Sequence, residues 1–172
     1  MVANPLVLAI LMFFPLLMAL SASSDLFTMT IPNRICAALV VGYFVLAIAL
    51  HLPLKTVGVN VACALGVLVL TFAMFSRGWI GGGDAKLAAA TAVWLGFGHM
   101  ADYGALASVL GGLLTLGVIH MRGMTLPGAL TQRSWFARLN DPANGVPYGI
   151  ALAAAGLLIF PQTRLWDAVA AL

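Results

Sequence analysis

The sequence predicts an all-α, polytopic membrane protein with six transmembrane helices and with both termini outside. Its 172 residues are 63% hydrophobic and only 8% charged, whereas a soluble domain carries about 25% charged residues. Long stretches without Lys, Arg, Asp or Glu follow one another along the chain. We see no period-two alternation of the kind that a membrane barrel needs, and lipid permits little except helices or closed barrels.

The charge-free stretches define the expected spans. A transmembrane helix needs about 20 apolar residues, and five stretches reach roughly that length, while the stretch 87–101 is shorter. We therefore expect one integral-membrane domain over residues 1–172. Its predicted spans are residues 4–24, 34–51, 57–76, 84–100, 103–121 and 145–161.

The orientation follows from the basic residues, which concentrate in cytoplasmic loops. An outside N-terminus leaves only Lys55 and Arg164 on the outer side, and it places six basic residues inside: Arg34, Arg77, Lys86, Arg122, Arg133 and Arg138. The same topology puts three aspartates on the cytoplasmic side: Asp25, Asp84 and Asp141. The sequence therefore predicts a chain with both termini outside.

Several function classes are disfavoured by composition. The net charge of +3 comes from basic residues scattered singly, so we expect no nucleic-acid partner. Cys36 and Cys63 lack metal-ligand spacing, and the three histidines have no ligand partner at helical spacing. We therefore expect no metal and no cofactor, and we expect membrane lipid to surround most of the chain.

The segment "GGGDAKL" places a carboxylate where the short fourth span begins. About 15 residues give a helix of about 22 Å, which is less than a hydrocarbon core of about 30 Å. An earlier start would draw Gly81–Gly83 and Asp84 below the membrane surface, where Lys86 could extend its amine to the headgroups. Irregular backbone at that depth needs protein or a water-filled cavity around it. An ionisable group there indicates a functional site.

The first loop supplies a second carboxylate on the same side, Asp25 in "SSDLFTMTIPNRI". Two carboxylates at similar depth could share one proton, so that one acts as general base on a water and the other as general acid. Amide hydrolysis by such a pair needs no metal and no nucleophilic side chain. We therefore predict Asp25 and Asp84 as the catalytic residues.

Three local motifs resemble those of the GxGD-type membrane aspartyl proteases, and most closely the prepilin peptidases. "GGGDAKL" resembles the motif of one catalytic aspartate and its following lysine, with support from Gly81, Gly82, Gly83 and Lys86. "DLFTMTIPN" resembles the motif of the other aspartate, with Pro32 and Asn33 at its end. "VPYGIALAA" resembles the start of the last helix and covers Pro147, Tyr148 and Gly149.

The resemblance implies cleavage of the short basic leader of a type IV, Flp-type prepilin or pseudopilin at the cytoplasmic face of a bacterial inner membrane. Because a hydrophobic span starts almost at Met1, we expect the short, peptidase-only form that serves Flp/Tad-type pili. Two alternatives remain open: a small proton-coupled transporter that uses the aspartates as a relay, and a non-catalytic pilus-assembly subunit. We expect Trp135 and Phe136 in loop 122–141 to lie at the headgroups, and a substrate-facing lid is the alternative for this loop.

Overall fold

A computed structural model describes residues 5–124 and 133–170, and these two ranges are helical with no strand. The all-α class is therefore confirmed. The helices are α1 (Pro5–Thr28), α2 (Asn33–Ala49), α3 (Leu54–Ser76), α4 (Gly82–Leu95), α5 (Phe97–Arg122), α6 (Ser134–Asn140), α7 (Gly149–Ile159), a 3-10 turn (Phe160–Gln162) and α8 (Arg164–Ala170).

Among the described residues, three helical segments are by length and composition able to cross a membrane: Ile10–Thr28, Leu54–Ser76 and Phe97–Arg122. The last helices, Gly149–Gln162 and Arg164–Ala170, would add a fourth span if the pair, bent by 59°, counts as one. Helix α2 is apolar but has only 17 residues. The six-span arrangement and the outside position of both termini therefore stay predictions.

Helix α4 is short because it lies inside the bundle. Its 14 residues give about 21 Å, and its side chains from Leu87 to Leu95 are buried on every face. The helices that surround it are α2, α3, α5 and α7. A helix that is apolar all round is a core helix, so α4 need not match the thickness of the bilayer as a lipid-facing helix must.

The boundary between the fourth and fifth helices differs from the predicted spans 84–100 and 103–121. Helix α4 ends at Leu95 and α5 begins at Phe97. Gly96 between them has φ 65°, and a Cβ there would lie 2.6 Å from Asn60 Oδ1. The left-handed conformation and the close approach both require glycine. The prediction used the charge of Asp102 as the boundary, but Asp102 is exposed on α5.

Other bounds also differ. Helix α1 continues through Thr28, beyond the predicted 4–24, so Asp25 lies within the helix. The predicted span 145–161 begins as a helix only at Gly149, because Pro147 disfavours helical backbone in the residue before it. Helix α2, predicted as 34–51, ends at Ala49, and His51 follows with φ 51°.

A cluster of aromatic rings fixes the end of α4 that lies away from Asp84. Trp94 packs against Phe14, Tyr43 and Phe160 with ring centroids 5.2, 6.0 and 5.8 Å away. Its indole N–H donates a 2.9 Å hydrogen bond to the backbone carbonyl of Leu39. These contacts join α4 to α1, α2 and the 3-10 turn, so one end of α4 is anchored while the other presents Asp84.

Candidate active site

Asp25 lies in the last turns of α1 and is only 6% exposed. Its Oδ2 accepts a 2.8 Å hydrogen bond from the backbone N–H of Gly149, the first residue of α7. The first N–H groups of a helix lack partners inside the helix, and a buried carboxylate needs a hydrogen-bond donor. The carboxylate of Asp25 and the first N–H group of α7 therefore each provide the hydrogen-bond partner that the other needs.

Asp84 lies in the first turn of α4 and is partly buried. The N-terminal end of a helix favours a negative charge. The side chain folds back over the glycine run, since a Cβ added to Gly81 would lie 2.9 Å from Asp84 Oδ2. A larger residue at position 81 would therefore displace this carboxylate from its position.

One cleft of about 290 Å³ brings the two aspartates together, although 59 positions separate them in sequence (84 − 25). The other predicted site residues that line it are Asn33, Gly81, Gly82, Gly83 and Lys86. Met29, Thr30 and Ile31 complete the described lining. The cleft lies between the end of α1, the start of α2 and the start of α4.

Ile31, which was not predicted as a site residue, lies close to both Gly83 of α4 and Gly149 of α7. A Cβ on Gly83 would lie 3.2 Å from Ile31 Cβ, and a Cβ on Gly149 would lie 2.7 Å from Ile31 Cδ1 and 2.8 Å from Asp25 Oδ2. Ile31 is 7% exposed. The two glycines therefore let α4 and α7 approach the loop that follows Asp25.

Lys86 and Asn33 close one side of the cleft. The Lys86 ammonium donates a 3.0 Å hydrogen bond to Asn33 Oδ1. Pro32 precedes α2 as its N-cap with φ −61° and ψ 134°, so it directs the chain from Ile31 into that helix. The hydrogen bond between Lys86 and Asn33 thus connects the start of α4 to the start of α2, and Pro32 sets the direction in which α2 begins.

Pro147 and Tyr148 lie beside the cleft and not in its lining. Pro147 is fully buried. The Tyr148 ring packs directly on Gly111 of α5, where an added Cβ would lie 2.0 Å from the ring carbon Cζ. Gly111, which sequence reasoning missed, therefore leaves the space that the ring of Tyr148, the residue before Gly149, occupies.

Arg122, at the end of α5, holds the segment that leads to Gly149. Its Nε donates to the carbonyl of Leu139 at 2.9 Å, and one terminal nitrogen donates to the carbonyls of Asn144 and Gly145 at 3.1 Å each. From the sequence alone, Arg122 contributed only to the predicted orientation of the chain in the membrane. Nothing in its local pattern indicates contacts with a segment about 20 residues away.

Helix α6 contacts the end of α1. The Arg138 guanidinium donates to the carbonyl of Phe27 at 2.5 Å, and the Trp135 ring packs edge-on against Phe27 with centroids 5.7 Å apart. Trp135 and Phe136 were expected at the headgroups, and that position stays a prediction. Residues 125–132 of the same loop lie outside the described residues.

This arrangement is suited to acid–base chemistry on a polar bond. Two carboxylates reach one cleft, one of them buried and held by a backbone donor, the other at a helix N-terminus beside glycines. In the described ranges, no group of three or more His, Cys, Asp or Glu side chains is arranged to hold a metal ion.

The chain matches the family model described as the type IV leader peptidase family over residues 12–116. That range covers more than half of the 172 residues and contains both aspartates of the cleft. It ends before Pro147, Tyr148 and Gly149. No curated protein and no solved structure gives a significant match to the chain.

Proposed function

Since the chain belongs to the type IV leader peptidase family, we propose that it is a membrane aspartyl endopeptidase with Asp25 and Asp84 as its catalytic pair. Its proposed substrates are Flp-type prepilins or pseudopilins, from which it removes the short basic leader. The observation that carries this proposal is the single cleft lined by both aspartates. A role in ending α1 does not explain Asp25, because this side chain is buried and lies within the helix.

The proposed reaction uses the two carboxylates as one acid–base unit that shares a proton. The ionised aspartate takes a proton from a water while that oxygen attacks the carbonyl carbon of the scissile peptide. The attack gives a tetrahedral intermediate, and the protonated aspartate then donates its proton to the amide nitrogen while the C–N bond breaks. The products are the amine and a new carboxyl group, and the two aspartates have exchanged protonation states. The Gly149 N–H stabilises negative charge on Asp25 Oδ2.

The position of the cleft suits a bond at the edge of an apolar segment. Both aspartates lie near helix ends, and the predicted orientation puts those ends at the cytoplasmic face of the inner membrane. A basic leader would stay in water on that side, while the apolar helix of the pilin stays in lipid. The remaining predicted supports are Gly81, Gly82, Gly83, Lys86, Pro32 and Asn33, together with Pro147, Tyr148 and Gly149.

Co-expression with a Flp-type prepilin tests this proposal. We expect a shorter pilin whose new N-terminus, read by mass spectrometry, lies between the polar leader and the apolar helix. The matched control is the same prepilin with bulky residues on both sides of that junction. An unprocessed prepilin together with proton flux in liposomes would favour the transporter. An unprocessed prepilin together with loss of pili on deletion would favour the assembly subunit.

A further inference from the structure

A second cavity, of about 1000 Å³, also reaches Asp84. We call it the α3–α5 groove, and its walls include Val67 and Met74 of α3 and Gly104 and Ser108 of α5. We propose that this groove holds the apolar helix of the substrate that follows the scissile bond. This inference rests on the proposed function, because it assigns a binding surface to the same reaction.

The groove is long enough to contact such a helix over several turns. Its wall on α5 extends from Met100 to Thr115, which is about 22 Å along the helix axis at 1.5 Å per residue. A substrate helix lying along it would be in contact for about four turns. Apolar side chains form most of the lining, and Asp84 and Gly81 lie where α4 begins.

Small residues form one side of the groove. Ala88 of α4 and Gly104, Ala107 and Ser108 of α5 all line it. Within membranes, small residues let two helix backbones approach closely. A Cβ added to Gly104 meets no described heavy atom within 4 Å, so the space beside it is open. These features suit a packed helix better than a single lipid tail.

Another apolar cavity, of about 590 Å³, lies between α2 and α3. It is the alternative binding place for the apolar helix of the substrate. Leu65 of α3 and Ala90 of α4 line it, and its described polar lining is Asn33 and Lys86. These two side chains are hydrogen-bonded to each other. A chain leaving this cavity toward the cleft would meet that pair first, whereas a chain leaving the α3–α5 groove meets Asp84.

A bulky side chain placed in the groove tests the inference through its effect on prepilin cleavage. We expect Gly104→Phe to lower cleavage of the full-length prepilin at least tenfold, with a raised KM. The matched control is Gly112→Phe on the same helix, where an added Cβ also meets no described atom within 4 Å and which is not among the residues lining the groove. A short peptide with the leader and the cleavage site, but without the apolar helix, should be cut equally by both variants.

Site-specific cross-linking tests the occupant directly. With p-benzoylphenylalanine in place of Gly104, we expect a light-dependent adduct with the apolar segment of the prepilin, and none from Gly112 or Leu65. An adduct from Leu65 alone, or from Gly104 with lipid alone, would overturn the inference. So would normal cleavage by Gly104→Phe when wild type cleaves the prepilin. Failure of wild type to cleave would instead contradict the proposed function.

Discussion

The backbone N–H of Gly149 donates a 2.8 Å hydrogen bond to Oδ2 of Asp25, a residue 124 positions earlier in the chain. This contact joins the last of the three motifs to the first. It gives the buried carboxylate a donor without using another charged side chain. It also makes the position of Asp25 depend on the start of α7, and therefore on the residues that hold α7 in place.

Gly149→Ala should abolish most cleavage. The new methyl group would lie 2.8 Å from Asp25 Oδ2 and 2.7 Å from Ile31 Cδ1, so the carboxylate or the helix must move, and overpacking of this kind costs about 1–3 kcal/mol. We expect at least a tenfold loss of prepilin processing. Gly117→Ala is the control, because no described atom lies within 4 Å of the added Cβ and Gly117 lines neither the cleft nor the α3–α5 groove. Equal processing by the two variants would contradict this role of Gly149.

Gly111→Ala should impair processing through Tyr148. An added Cβ would lie 2.0 Å from the Tyr148 ring, so the ring must move, and we expect this movement to disturb the adjoining Gly149. We expect a lower rate for Gly111→Ala and an unchanged rate for Gly112→Ala, measured as the fraction of pilin processed over time. Replacement of Tyr148 by Ala in the Gly111→Ala protein should relieve the clash. If the double variant is no more stable to heat than Gly111→Ala, the clash is not the cause.

Arg122→Gln should loosen the segment before α7. The change removes three hydrogen bonds to the carbonyls of Leu139, Asn144 and Gly145, and bonds from a charged donor contribute about 1.5–3 kcal/mol each at most. We expect a lower melting temperature and slower cleavage, with Arg122→Lys intermediate in both. Arg164→Gln, an exposed change at the start of α8, is the control. An unaltered melting temperature for Arg122→Gln would contradict this account.

Trp94→Phe should lower stability without changing the chemistry. It removes the 2.9 Å hydrogen bond to the Leu39 carbonyl and part of a fully packed ring, and we expect a loss of about 1–3 kcal/mol. Trp94 is ten residues from Asp84 on α4, or about 15 Å along the axis. The melting temperature should therefore fall while kcat for prepilin stays near the wild-type value. A matching fall in kcat would show that the aromatic cluster also positions the cleft.

The local features of the site could be predicted from the sequence, because each is a short pattern. The glycine run and the Pro-Asn pair drew attention to Asp84 and Asp25, and the distribution of basic residues predicted both on one side of the membrane. Both aspartates line one cleft. The roles of Ile31, Gly111 and Arg122 could not be predicted. Each depends on a contact between distant helices, and none has a distinctive residue pattern around it.

The fold was predictable in class but not in detail. Charge-free stretches identified apolar helices, since charged residues are costly in lipid. They could not locate the break at Gly96, which is set by backbone conformation and by the approach of Asn60. They also could not show that α4 is short because neighbouring helices surround it, as this depends on packing in three dimensions.

The decisive test of Asp25 and Asp84 as the catalytic pair is prepilin processing by Asp25→Asn and Asp84→Asn. Asp102→Asn, an exposed change on α5, is the control. Asparagine keeps the size of each side chain but can neither accept nor give up the proton that the reaction needs. We expect loss of the processed pilin in both cleft variants, at unchanged protein levels, and normal processing by Asp102→Asn. Processing that survives in either cleft variant would show that Asp25 and Asp84 are not the catalytic pair.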